Sequence, residues 1–100
     1  MITSKQRAYL RKISHTMEPI FQIGKDGITD ELLEGISQAL NKREILKVHI
    51  LETALLDTKE TCNEVAAELG AEPVQAIGNK FIIYRRSEEE KYRKIDLKRI

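Results

Sequence analysis

Residues 18–51 read EPIFQIGKDGITDELLEGISQALNKREILKVHIL, and the changes of pattern inside this stretch decide the fold. Glu18-Pro19 closes any helix before it, because the residue preceding proline avoids the helical region. Ile20-Phe21-Gln22-Ile23 reads as a short buried strand. Gly24-Lys25-Asp26-Gly27 is a turn. Thr29 can cap a helix whose first turn carries Asp30 and Glu31, charges that suit a helix N-terminus. Ile28 and Leu33 are spaced as a hydrophobic staple, and Leu32, Leu33, Ile36 and Leu40 give the helix an apolar side. It ends near Asn41-Lys42-Arg43. From Glu44 to Leu51 the pattern alternates: Leu46, Val48 and Ile50 against Lys47 and His49, a strand with one polar face. A strand–helix–strand passage of this kind predicts a parallel pair with a right-handed crossover.

Upstream, Thr3 or Ser4 can cap a helix reaching about His15. At 100° per residue, Ile2, Leu10, Ile13 and Met17 share one side, with Tyr9 at its border. Arg7, Arg11 and His15 fall on the opposite side, flanked by Lys5 and Lys12. Downstream, Asp57 or Thr58 caps a third helix, and Asp57 with Glu60 resembles a capping box. Cys62, Val65, Ala66 and Leu69 form its apolar stripe and Gly70 its stop. Val74–Ile77 and Phe81–Tyr84 flank Gly78-Asn79, a hairpin turn. From Arg85 the chain is charged, although Ile95, Leu97 and Ile100 could pin part of it to the body. The order is α-β-α-β-α-β-β: an α/β sandwich with one small mixed sheet.

The chain has 100 residues, 33% charged and 41% apolar, enough for one domain with a modest core. No apolar run approaches a membrane span. The charged N-terminus MITSKQRAYLRK does not read as a signal peptide, and the lone Cys62 suits a reducing compartment, so a cytoplasmic location is expected. Two His and one Cys give no credible zinc cluster. A net charge of +1 argues against a nucleic-acid partner until it is divided along the chain. Residues 1–27 carry five basic against two acidic residues, 28–75 four against ten, and 76–100 eight against four. The ends are basic and the middle acidic, an asymmetry that points to a nucleic-acid surface.

The glycine turn is the first candidate site. Its glycines allow close backbone approach, the helix N-terminus after it favours an anion, and Lys25 adds a cation. A GxxG clamp grips the nucleic-acid backbone in KH-type modules; a turn that needs glycine only for geometry is the competing reading. It is neither a P-loop nor a dinucleotide fingerprint. The Arg7–Arg11–His15 stripe with Lys5 and Lys12 lacks acidic residues and suits phosphates. Lys80, Arg85 and Arg86 fit either a binding role or exposed strand ends. Tyr9 and Tyr84 could stack on bases but read better as core or core-edge aromatics. Catalysis has little support: Cys62 falls on an apolar face, His49 has no nucleophile beside it, and the carboxylates read as solvated helix faces.

Lys5-Gln6-Arg7, Leu10-Arg11 and His15, then Pro19-Ile20 and Gln22-Ile23-Gly24-Lys25-Asp26-Gly27-Ile28-Thr29, resemble the CRM domain. So do Leu46–Leu51, Val74–Gly78 and Phe81–Arg85. The chain is most like the stand-alone bacterial members, the YhbY-like proteins. The resemblance covers residues 3 to about 87, so residues 1–87 are expected to form the domain and 88–100 a charged tail. It implies a four-stranded mixed sheet, similar to the C-terminal domain of translation initiation factor three. It also implies a non-enzymatic protein that binds ribosomal RNA in precursors of the large ribosomal subunit; beside it, a monomer is expected, with no cofactor and no membrane or small-molecule partner. The family's RNA surface carries over to Gly24, Lys25, Gly27, Arg7 and Arg11, with Lys5, Lys12 and His15 beside them. Asp26 departs from the neutral or amide residue common at its position, and a carboxylate beside a bound phosphate should cost affinity. The rival reading is a protein-interaction module that docks through the acidic second and third helices.

Overall fold

The computed structural model describes residues 2–100. Helix α1 spans Ser4–Ser14, strand β1 Phe21–Ile23, helix α2 Asp30–Arg43 and strand β2 Ile45–Ile50. Helix α3 follows at Thr58–Leu69, then strands β3, Glu72–Ile77, and β4, Lys80–Tyr84. This is the predicted order, in one sheet of order β1-β2-β4-β3. β1 and β2 are parallel, with Gln22 beside His49, while β4 is antiparallel to both β2 and β3. β1 is not the buried strand its sequence suggests, because it lies at the sheet edge, where Ile23 is buried but Gln22 and Ile20 are exposed.

Each helix begins where its cap lies. Thr3 rather than Ser4 caps α1: its Oγ1 accepts from the Gln6 amide, and the Gln6 side chain accepts from the Thr3 amide. Thr29 Oγ1 accepts from Leu32 N–H, and an Asp57 carboxylate oxygen accepts from Glu60 N–H. Gly70 ends α3 in the left-handed conformation, φ 63°.

Alternation along the strands divides the core in two. Leu46, Val48, Ile50, Phe81 and Ile83 point one way and pack with Ile36, Leu40, Cys62 and Val65 of α2 and α3. Ile45, Ile82 and Tyr84 point the other way and pack with Leu10 of α1. α1 is turned about its axis relative to the hydropathy pattern. Leu10 and Ser14 are buried, whereas Ile13 and Tyr9 are 36% and 37% exposed. Ser14 tolerates burial because its hydroxyl donates to Leu10 O at 2.7 Å within the helix. Gln6 faces inward because its amide donates to Leu97 O.

The carboxylates are not all solvated. Glu44 forms a one-residue joint between α2 and β2, with φ 66° and no exposed surface. Its amide donates to Leu40 O and its carbonyl accepts from Arg85 N–H. One side-chain oxygen accepts from Lys94 and Ile95 N–H at 2.7 and 3.1 Å, and the other from Ser87 N–H at 2.9 Å. The C-terminal segment is thereby held against the body. It makes short 3₁₀ turns at Glu90–Tyr92 and Leu97–Arg99, and Ile95 and Leu97 pack on the Leu10 cluster. Among the described residues, no helix is long and apolar enough to cross a membrane.

Removing the Glu44 carboxylate leaves three N–H groups without their acceptor. Glu44→Ala is expected to cost about 2–4 kcal/mol in urea unfolding and to open residues 88–100 to proteolysis. Glu44→Gln keeps one acceptor oxygen and should fall between. Cys62 is buried in the α2–α3 core, and burial pushes its thiol up to about 11. An unfolded chain therefore ionises this group first. The Cys62 contribution to stability is complete below pH 9 and is lost as pH rises from about 9 to about 11. Alkylation of the native protein by iodoacetamide at pH 8 should be slow and should accelerate sharply in denaturant.

Candidate nucleic-acid interface

The GxxG turn leaves the end of β1 and enters α2. Gly27 N–H donates to Gly24 O at 2.9 Å, closing the turn, and Gly27 has φ +70°, a conformation that disfavours any side chain. Gly24 has no such demand: a Cβ there would meet Leu51 Cδ1 at 3.8 Å, ordinary contact. Lys25 and Asp26 are exposed at the tip. Asp30 and Glu31 occupy the first turn of α2, so the helix already holds its own anions where a phosphate would sit.

On α1, Lys5, Arg11, Lys12 and His15 are exposed. Arg7 is not on the outermost side of the helix. It is half-buried, and its Nε donates to Pro73 O on β3 at 3.2 Å. Arg7 and Arg11 therefore share the flank of α1 turned from the C-terminal segment that Gln6 contacts. Arg7 reaches one edge strand, β3, while Lys25 extends from the other, β1. Three strand spacings, about 14 Å, separate those edges. The predicted residues thus form two groups with a stretch of sheet between them.

That stretch belongs to neither predicted group. α1 begins at the start of β3, where Ile2 N–H donates to Glu72 Oε1, and ends over β2, where Lys47 Nζ donates to His15 O. The other ends of the strands lie beyond it. Register places Gln22, His49, Lys80 and Ile77 side by side across all four strands, on the face that carries α1. Alternation marked Lys47 and His49 as a polar face, but their alignment with Gln22 and Lys80 needs the register. Asn79 Nδ2 donates to His49 Nε2 at 2.9 Å and holds the ring.

The other predicted cations divide. Arg85 is structural: its guanidinium donates to Leu69 O, Ser37 O and Asn41 Oδ1 at 2.7–3.2 Å, tying α2 to α3. Arg86 and Lys80 are exposed. Tyr84 is buried at 6% exposure, and its phenol is raised by burial and then by the Glu44 charge, with Arg86 opposing. Its ring is packed in the Leu10 cluster and is not open to a base, whereas Tyr9 is 37% exposed.

Comparison with known proteins gives a consistent set. A model of the CRS1 / YhbY (CRM) domain matches residues 2–85. The Bacillus subtilis "Probable RNA-binding protein YqeI" is 36% identical over 91% of this chain and 95% of its own. A Haemophilus influenzae "RNA-binding protein" is 32% identical over 90% and 91%. The solution structure of the Staphylococcus aureus protein SAV1595 superposes with a TM-score of 0.74 at 37% identity, covering 96% of this chain and 100% of that one.

The loop residues have separable roles. Gly27→Ala forces a side chain into the left-handed region and should cost about 1–2 kcal/mol in thermal unfolding. Lys25→Ala, at the exposed tip, should change stability by no more than about 0.5 kcal/mol. A loop that tolerated both alike would not depend on its glycine geometry.

Proposed function

The chain belongs to the CRS1/YhbY (CRM) domain family, and on that premise we propose that it binds RNA directly, as a monomer without catalytic activity. Ribosomal RNA in precursors of the large subunit is the proposed target. The observation that carries the reading is electrostatic. Lys5, Arg11, Lys12 and Lys25 are exposed, and among the described residues the ion pair is Arg99 with Asp96, remote in sequence from all four. Their charges are available to phosphates. Two relatives that match over nearly their whole lengths bear names that describe RNA binding.

Lys25 and the loop backbone would hold one phosphate, and Arg11 another; Arg7, turned onto Pro73, would reach only RNA that passes over β3. Phosphate contacts position the strand without reading it. Each contact on a single strand steepens the fall of log K with log salt by about 0.7.

Purified protein should retard naked ribosomal RNA in a gel-shift titration. Lys25→Ala/Arg11→Ala should weaken binding at least about tenfold near physiological salt and lower the salt slope by about 1.4. Unchanged affinity in this variant would remove the site assignment. Failure of the wild-type protein to shift naked RNA would favour docking on a protein through the exposed carboxylates of α2 and α3.

A further inference from the structure

We propose that the uncovered part of the sheet, the row Gln22, His49, Lys80 and Ile77, is a platform for unpaired bases of a single-stranded RNA segment. The inference rests on the RNA-binding reading above and assigns the base contacts that reading lacks. The row lies on the same face as α1, between the Arg7–Arg11 flank and the loop that carries Lys25. An RNA strand spanning those two phosphate-binding groups must cross it.

The chemistry of the row suits bases better than phosphates. It offers an amide, an imidazole, one ammonium and a branched apolar side chain, with Ile77 64% exposed. An imidazole can stack on a base, and amide and imidazole groups can hydrogen-bond base edges. Asn79 fixes the His49 ring before any ligand arrives, so little ordering entropy is lost on contact. None of the strand residues in this part of the face is acidic; the nearest carboxylate in sequence is Glu52, three residues after His49, and Glu18 before β1 and Asp26 in the loop each lie four residues from Gln22. Lys80 adds the charge complementarity that a polyanion requires.

Shape selects the single strand. α1 stands beside the platform as a step about 10 Å high. A duplex, with its bases paired inward, would rest on the step and the loop, leaving the floor untouched. A strand with splayed bases reaches the floor while its phosphates meet the cations at either side.

The test compares a labelled unstructured RNA single strand with an RNA hairpin duplex of equal length by fluorescence anisotropy. His49→Ala/Ile77→Ala leaves every lysine, arginine and carboxylate in place, and circular dichroism checks that it folds. The expected result is at least about tenfold weaker binding of the single strand, with duplex affinity and the salt slope unchanged. Equal single-strand affinity in variant and wild type overturns the platform. So does a loss that is the same for both RNAs. If Lys25→Ala/Arg11→Ala weakens binding in either of those cases, the RNA-binding reading survives and only the platform fails. If the wild-type protein binds neither RNA, both fail.

Discussion

Glu44 connects α2 to β2 with no intervening loop, and the two-sidedness of the sheet depends on how that single residue is held. Its left-handed backbone turns the chain from helix to strand in one step. The penalty for that conformation is offset by hydrogen bonds at the amide, the carbonyl and the carboxylate. Because Ile45 begins the strand immediately afterwards, the joint sets its parity: Leu46, Val48 and Ile50 enter the α2–α3 core, while Ile45, Lys47 and His49 face α1. A slip of one residue would bury Lys47 and His49 and expose three core side chains. The same carboxylate draws in Ser87, Lys94 and Ile95, so the C-terminal segment reports on the integrity of the joint.

From that parity follows the separation of charge. The face carrying α1 receives the basic first segment of the chain, together with Lys47 and Lys80. The opposite side is covered by α2 and α3, whose outward residues include Glu31, Glu34, Glu60, Glu64 and Glu68, all exposed. A near-neutral total of +1 is therefore the sum of two unlike surfaces. At distances beyond the Debye length, about 8 Å in physiological salt, their fields largely cancel and are screened. Attraction to nucleic acid is correspondingly short-ranged and depends on orientation.

The elements and their order were legible in the sequence because caps, breakers and periodicity are local signals. Thr29, Asp57, Gly70 and the change from helical to alternating spacing at Glu44 each act within a few residues. What could not be read depends on partners distant in the chain. Gln6 looks like a solvent-facing residue until Leu97 O, 91 residues away, accepts its hydrogen bond and draws that side of α1 inward; Ser14 can follow because Leu10 O satisfies its hydroxyl within the helix. Arg85 looks like a surface cation until Leu69, Ser37 and Asn41 surround it. Lys25, Arg11, Lys5, Lys12 and His15 are legible as surface residues, since an exposed polar side chain needs no partner from elsewhere in the chain. The separation of Arg7 from Lys25 by the sheet was invisible, because spacing along a helix does not give distance across strands.

The carboxylates around the glycine turn bear on how an RNA strand would divide its contacts. Lys25 is accompanied there by Asp26, Asp30 and Glu31, so the formal charge of the loop and the first turn of α2 is negative even though Lys25 stands at the tip. A phosphate at the turn would need the backbone N–H groups and the Lys25 ammonium to outweigh three nearby anions. On α1, by contrast, Lys5, Arg11 and Lys12 have no acidic residue between them. Electrostatic attraction in the proposed interface would therefore come mainly from α1, with the turn acting through geometry. A site arranged in this way cannot gain much affinity from charge at the loop end. Contacts that carry no charge, such as those His49 and Ile77 can make with a base, are the remaining means of holding the strand there.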